Sequence, residues 1–253
     1  MKGARIMTDN RDNRVALIAG IDIPIPECQL ILHQPKIKEI AFLGDINFFT
    51  AAQTLGLHKS MFMSEDNSVP DDINNFQIFM TVIGEKEMVD KKKVVKELLN
   101  LLFPNYTLLI TPRSLVFQDK DKNSFNVDES NFEALQEVIR EVFCLKSGPM
   151  DQTAFNPVDD KAREIAQKLM RGRQRVAAQK GGANTSVFSQ YLSILTVGLH
   201  SMSLHDLLDC TMYQLYDLME RYSLYMNWDI DVRTRLAGGK PESQPDNWMK
   251  NIH

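Results

Sequence analysis

Cysteine is scarce in this chain. Cys28, Cys144 and Cys210 are odd in number, far apart and set among apolar residues. That excludes a disulfide framework and points to reduced thiols in a cytoplasmic protein. Long hydrophobic runs are missing too, and none reaches the roughly 18 residues of a membrane-spanning helix. Residues 1–14 are polar and lack the apolar core of a signal peptide, so the expectation is an intracellular chain with a disordered N-terminal segment. Neither sign of charge is in large excess. The net value of −4 makes no case for nucleic acid or for an acidic membrane surface. The charged fraction of 25% is that of an ordinary globular protein, and 253 residues suffice for a large core in one or two modules.

Catalytic signatures are equally scarce. His33, His58, His200, His205 and His253 show neither the HExxH spacing nor a nearby cysteine pair, so no zinc site is expected. No Gly-x-Ser-x-Gly turn or cysteine-centred signature marks a nucleophile. Gly181-Gly182 and Gly238-Gly239 follow helical patterns and lack the Gly-Lys-Ser/Thr ending of a phosphate loop; both read as helix C-caps. Asp119-Lys120-Asp121-Lys122-Asn123 imitates the start of a calcium loop. It has Ser124 where the turn glycine belongs and Ser130 where the bidentate glutamate belongs, so a hairpin loop is the expectation. The chain is therefore expected to be non-enzymatic, with no cofactor or metal.

What is present is a set of elements that predicts an α+β fold, predominantly helical. Val15 to Leu32 is aliphatic but interrupted by Pro24 and Pro26, which suits an edge strand pair or a kinked strand. A helix is predicted from Pro35 through Phe48 and Phe49 to a stop at Gly56. Residues 64–72 read as a polar loop, and Ile73 to Ile83 is ambiguous between strand and helix. A helix over Lys86 to Phe103 is followed by a β-hairpin, Tyr106–Ile110 and Leu115–Gln118, around Thr111-Pro112-Arg113. Ser130-Asn131-Phe132-Glu133 has capping-box form and predicts a helix to Leu145. Pro- and Gly-bearing residues 147–156 are read as a linker. Helices are then predicted over Val158–Lys180, Val187–His200 and, after Ser203-Leu204-His205-Asp206, Thr211–Leu236. The resulting division is a disordered segment 1–14, a small mixed domain with a β-hairpin over 15–147, an all-helical domain over 157–237, and a flexible tail over 238–253 with an apolar docking segment.

Two features point to protein binding. The last helix carries Tyr213, Tyr216, Tyr222, Tyr225 and Trp228, more aromatics than a plain bundle needs. Such a stripe is either core or an interface anchor. Beyond a polar tether, Trp248, Met249 and Ile252 form an apolar knot that either folds back or docks on a neighbour. Separately, Lys161, Arg163, Lys168, Arg171, Arg173, Arg175 and Lys180 make one helix basic. That row is a solvated face, a contact for acidic protein through Arg171, Arg173 and Arg175, or a phosphate-binding face; the absence of interleaved aromatics weighs against nucleic acid.

Several stretches resemble a known group. Ile23-Pro24-Ile25-Pro26, then Pro35-Lys36-Ile37-Lys38-Glu39-Ile40 and Phe48-Phe49, resemble the first segment of small tail-morphogenesis proteins in long-tailed phages of Gram-positive hosts. There an apolar strand leads into a Pro-x-Ile-x-Glu-Ile helix. Tyr191-Leu192-Ser193-Ile194-Leu195, Tyr213 to Leu218, Asn227 to Arg233 and Asn247-Trp248-Met249-Lys250 look like the same group. The family is the tail assembly chaperones, and the resemblance covers about half the chain. It implies a chaperone that binds the tape measure protein, helps recruit tail tube subunits, works in the cytoplasm of the infected host and is absent from the mature virion; docking of the tail on a neighbouring copy adds self-association to these expectations. The chain is long for a minimal chaperone. A structural subunit of the tail or connector, and a DNA-binding regulator using the basic helix, remain as alternative expectations.

Overall fold

Ile23, Ile25, Leu30 and Leu32 are all buried while Pro24 and Ile31 are exposed, the period-two alternation of a ribbon covered on one face. In the computed structural model, which describes residues 13–62, 73–84, 89–145, 187–239 and 247–249, they form β1 (Ile23–Ile25) and β2 (Leu30–Leu32). The two strands pair antiparallel with Ile23 opposite Leu32. The expected strand pair is thus present, but it starts later than the aliphatic run. Val15 to Ala19 belongs to a helix, α1 (Arg14–Ala19), closed by Gly20 at φ 65°. An aliphatic stretch as short as Val15 to Ala19 carries no decisive period, and the left-handed glycine after it is what marks the helix end.

The helix expected from Pro35 to Leu55 is two helices, α2 (Ile37–Leu43) and α3 (Asp45–Leu55). Gly44 lies between them at φ 77°, outside the helical region, and Asp45 then opens α3. A 3₁₀ turn covers Lys59–Phe62. The ambiguous stretch is a helix, α4 (Asn75–Gly84), because Asn74 and Gln77 cap it reciprocally. Asn74 Oδ1 accepts from the Gln77 N–H at 2.8 Å, and the Asn74 N–H donates to Gln77 Oε1 at 3.3 Å. Next come α5 (Val89–Leu102) and a three-stranded antiparallel meander, β3 (Thr107–Ile110), β4 (Leu115–Gln118) and β5 (Ser124–Val127). The β3–β4 hairpin is where the sequence puts it; β5 is a further strand. Between β4 and β5, the Asp119 carboxylate accepts from the N–H groups of Asp121 and Asn123 and from Asn123 Nδ2, all within 2.9 Å. The calcium-loop mimic is this hairpin loop.

Helix α6 (Phe132–Val142) forms without the expected Ser130–Glu133 box. Asp128 takes the serine instead, accepting from both its N–H at 2.9 Å and its hydroxyl at 2.7 Å. The predicted linker 147–156 and the basic helix 158–180 lie outside the described residues. Three helices follow: α7 (Val187–Gly198), α8 (Leu204–Leu208) and α9 (Met212–Leu236). Ser203 and Asp206 make the expected capping box, and Thr211 with Gln214 makes a second one that starts α9. Gly238 at φ 87° ends α9, with the Gly239 N–H on the Thr234 carbonyl at 2.9 Å, as expected of a C-cap. The architecture is mixed and mostly helical, with its strands in the N-terminal part and helices alone over 187–239.

One core joins these elements. Phe48 of α3 meets Phe143, beyond α6, at 5.0 Å and Phe188 of α7 at 5.6 Å, while Phe49 stacks on Phe188 at 5.2 Å. The Ile37 N–H donates to the Cys210 carbonyl at 2.9 Å, and Gln214 Nε2 donates to the Ile18 carbonyl at 2.7 Å. Asp209 pairs with Lys38 at 2.5 Å and with Lys36 at 3.4 Å. These contacts fix the base of α9 against α1 and α2, and so set the direction in which the rest of that helix runs.

Candidate protein-binding site

At a rise of 1.5 Å per residue, the 25 residues of α9 span about 37 Å. The body covers only the first part. Met212, Tyr213 and Leu215 are buried, and Tyr216, Met219 and Tyr222 are packed against the core with one side open. Tyr222 lies directly on Gly198 of α7, where a Cβ would overlap its ring. Past this point the helix opens: Tyr225 is 42% exposed, Ile230 56% and Leu236 83%. Asp229 with Arg233 (2.8 Å) and Asp231 with Arg235 (3.1 Å) pair along the helix, so these charges are satisfied locally.

Arg221, Tyr225 and Trp228 stand at i, i+4 and i+7 and therefore share one face of α9. The tail returns to that face. The Trp248 ring meets Tyr225 nearly edge-on at 5.6 Å and 82°, and Trp228 at 6.4 Å and 53°. Arg221 Nη1 donates to the Trp248 carbonyl at 2.8 Å. The segment is turned by an Asx contact, in which the Met249 N–H donates to Asn247 Oδ1 at 3.0 Å. Met249 itself is 69% exposed. Three aromatic rings, one charge-assisted hydrogen bond and an exposed methionine come together here, and aromatics, Met and Arg are residue types enriched at protein interfaces.

The structure divides the residues that the sequence singles out. Trp228, Trp248 and Met249 come together in this cluster. Tyr213 is buried, its hydroxyl pushed up to about 12 by desolvation with Cys144 next in effect. Tyr216 packs edge-on against Tyr191 at 5.5 Å, and burial raises its pKa as well. These two belong to the core rather than to an open surface, and Tyr222 serves helix packing. Ile252, Arg171, Arg173 and Arg175 lie outside the described residues. Of the two fates open to the tail, folding back is the one observed for Trp248. Tyr225 and Arg221 complete the cluster; their i, i+4, i+7 spacing with Trp228 was the available signal.

Elsewhere the described residues offer little chemistry. A groove of about 450 Å³ runs along α6 past His58, Glu133, Glu137 and Cys144. Burial, with Glu220 next in effect, raises the Cys144 thiol to about 12, so it stays protonated at neutral pH and is a poor nucleophile. Arg140 in the same groove holds the Gly56 carbonyl from Nη2 at 2.8 Å, a structural role. Among the described residues no group of three His, Cys, Asp or Glu could hold a metal ion, and no helix is long and apolar enough to cross a membrane.

Comparison with known proteins adds one finding. Residues 182–253 match the family described as the YomV second domain, a phage-derived name. The match takes in α7, α8, α9 and the tail with the aromatic cluster. It agrees with the phage resemblance drawn from the sequence. No curated protein and no solved structure matches the chain.

Proposed function

We propose that this chain is a non-enzymatic phage tail assembly chaperone that binds the tape measure protein and assists assembly of the tail tube in the cytoplasm of the infected host. The observation that carries the reading is the similarity of residues 182–253 to a phage-derived family, in the region where α9 leaves the body with aromatic and methionine side chains in the open. A chaperone must hold an aggregation-prone client without locking it. A small aromatic cluster with few charges suits moderate, reversible binding. The mildly acidic net charge of −4 keeps such a binder in solution without favouring nucleic acid.

The test pairs two measurements. The tagged chain is co-expressed with the tape measure protein of its own phage, and the purified virions are assayed by quantitative mass spectrometry. The expected result is a stable co-purifying complex, weakened by Tyr225→Ala with Trp228→Ala, and no copies of the chain in virions. Stoichiometric copies in the virion would instead make it a structural tail or connector subunit. Salt-dependent retention on DNA without tape measure binding would make it a regulator.

A further inference from the structure

The tail contact has a shape that says what else could occupy the face it covers. The resident ligand is a turn, not a helix. It offers one aromatic side chain to Tyr225 and Trp228 and one free backbone carbonyl to Arg221. A turn presents such a carbonyl outward with no helical partner, whereas carbonyls in a helix interior already accept from the N–H four residues on. A short turn with a tryptophan and an unpaired carbonyl fits, and this chain supplies one in every copy.

From these contacts we infer that the Arg221–Tyr225–Trp228 face is a docking site for the Trp248 turn, and that a second copy of the chain can supply that turn in place of its own. The cis contact is small: Tyr225 and Met249 keep much of their surface, and Arg221 provides its hydrogen bond. The geometry also permits exchange. From Trp228 to Leu236 the helix advances about 12 Å. Residues 240–246 can span at most about 25 Å when extended, more than the return path along the helix requires. The chain between α9 and Trp248 is therefore long enough for Trp248 to reach the same face on a neighbour whose α9 lies alongside. Exchange of an identical element between copies creates no new contact and costs little. The same tether explains why a dilute chain stays closed. Because site and ligand belong to one chain, the tail meets its own site at an effective concentration on the order of millimolar, so a neighbour's tail competes only when copies are crowded. Crowding along a long client would supply that condition, but the inference holds whether or not the chain is a chaperone.

The test removes the intramolecular competition by dividing site and ligand between two full-length chains. A Trp248→Ala chain has the site and no ligand. A Tyr225→Ala, Trp228→Ala chain has the ligand and no site. Trp228 and Trp248 are the only tryptophans in the sequence, so each variant keeps one, and emission reports on this face alone. Each variant alone should sediment as a monomer. Mixed at about 100 µM each, well below the cis effective concentration, they should form a heterodimer and shift tryptophan emission to the blue. Adding Arg221→Ala to the Trp248→Ala chain should weaken the heterodimer at least tenfold. Two folded variants, checked by circular dichroism, that stay monomeric when mixed would overturn the inference. So would a heterodimer indifferent to Arg221→Ala, since the copies would then be meeting elsewhere. If either variant loses helical signal, Trp248→Leu and Trp228→Leu chains replace the pair and the same outcomes apply.

Discussion

Truncating Phe48 to alanine asks whether the C-terminal helices stand by themselves or share one cooperative unit with the rest. Phe48 is fully buried, and its ring meets Phe49 at 5.3 Å, Phe143 at 5.0 Å and Phe188 at 5.6 Å. It thus bridges α3, the end of α6 and the start of α7. Replacing a core phenylalanine by alanine costs about 3–5 kcal/mol, combining lost transfer energy with an unfilled cavity. Three lost ring contacts place Phe48 toward the upper end of that range. Native stability is typically about 5–15 kcal/mol, so the variant should still fold, but marginally. At about 2–4 °C per kcal/mol for a chain of this size, the melting temperature should fall by roughly 6–20 °C. Two probes separate the possibilities. Circular dichroism reads all the helices; in a Trp248→Phe background, tryptophan emission reads Trp228 of α9 alone. If packing through Phe48 makes one unit, both transitions move down together. An emission midpoint unchanged by Phe48→Ala, beside a lowered dichroism midpoint, would refute that reasoning and show that α7 to α9 are stable without α3.

Gly198→Ala should destabilise by about 1–3 kcal/mol, since the added methyl meets the Tyr222 ring where α7 and α9 touch; chemical denaturation would show it, and an unchanged midpoint would mean that Tyr222 moves freely aside. Acid sensitivity should depend in part on Asp209, whose carboxyl is held below its usual pKa by a hydrogen bond from Lys38 and by Lys36. A depressed carboxylate stabilises the fold above its unfolded pKa of about 3.9 and loses that contribution as pH falls through the lower folded value. The denaturation midpoint of Asp209→Asn should therefore lie below wild type at pH 7 and converge on it as the pH falls below the unfolded carboxylate range; a gap that stays constant with pH would count against the ion pairs.

Much of the fold follows from chemistry carried within a few residues. Ser203 with Asp206 starts α8, Gly238 ends α9, and the β3–β4 hairpin turns at 111–113, each where local pattern places it. The departures are also local, but they turn on competition between nearby signals. Ser130 has the form of a cap, yet Asp128, two residues earlier, holds its hydroxyl at 2.7 Å. Gly44 sits within a helical spacing pattern, yet its φ of 77° divides the helix. Asn74 and Gln77 are a cap of the Asn-x-x-Gln form, the local signal that makes α4 a helix rather than a strand. β5 is harder to see because Ser124–Val127 has one buried residue, Val127, and owes its strand to pairing with β4.

The candidate face is less legible, because the stripe on α9 runs past the point where the core ends. Tyr222 and Tyr225 stand at i and i+3 on one side of the helix, and both are aromatic. Tyr222 packs on Gly198 of α7, while Tyr225, less than a turn further on, is 42% exposed. A periodic pattern finds the stripe but not the point at which the core stops. The tail raises the same difficulty in another form. Residues 240–246 mark a polar tether, and Trp248 marks an anchor, but the destination of the anchor depends on the three-dimensional return to Arg221, Tyr225 and Trp228. Once that return is known, the spacing of those three residues along α9 explains it: a cation and two rings share one face, and the indole of Trp248 meets both rings. A face that Trp248 covers within one copy is a face that Trp248 of a second copy fits equally well.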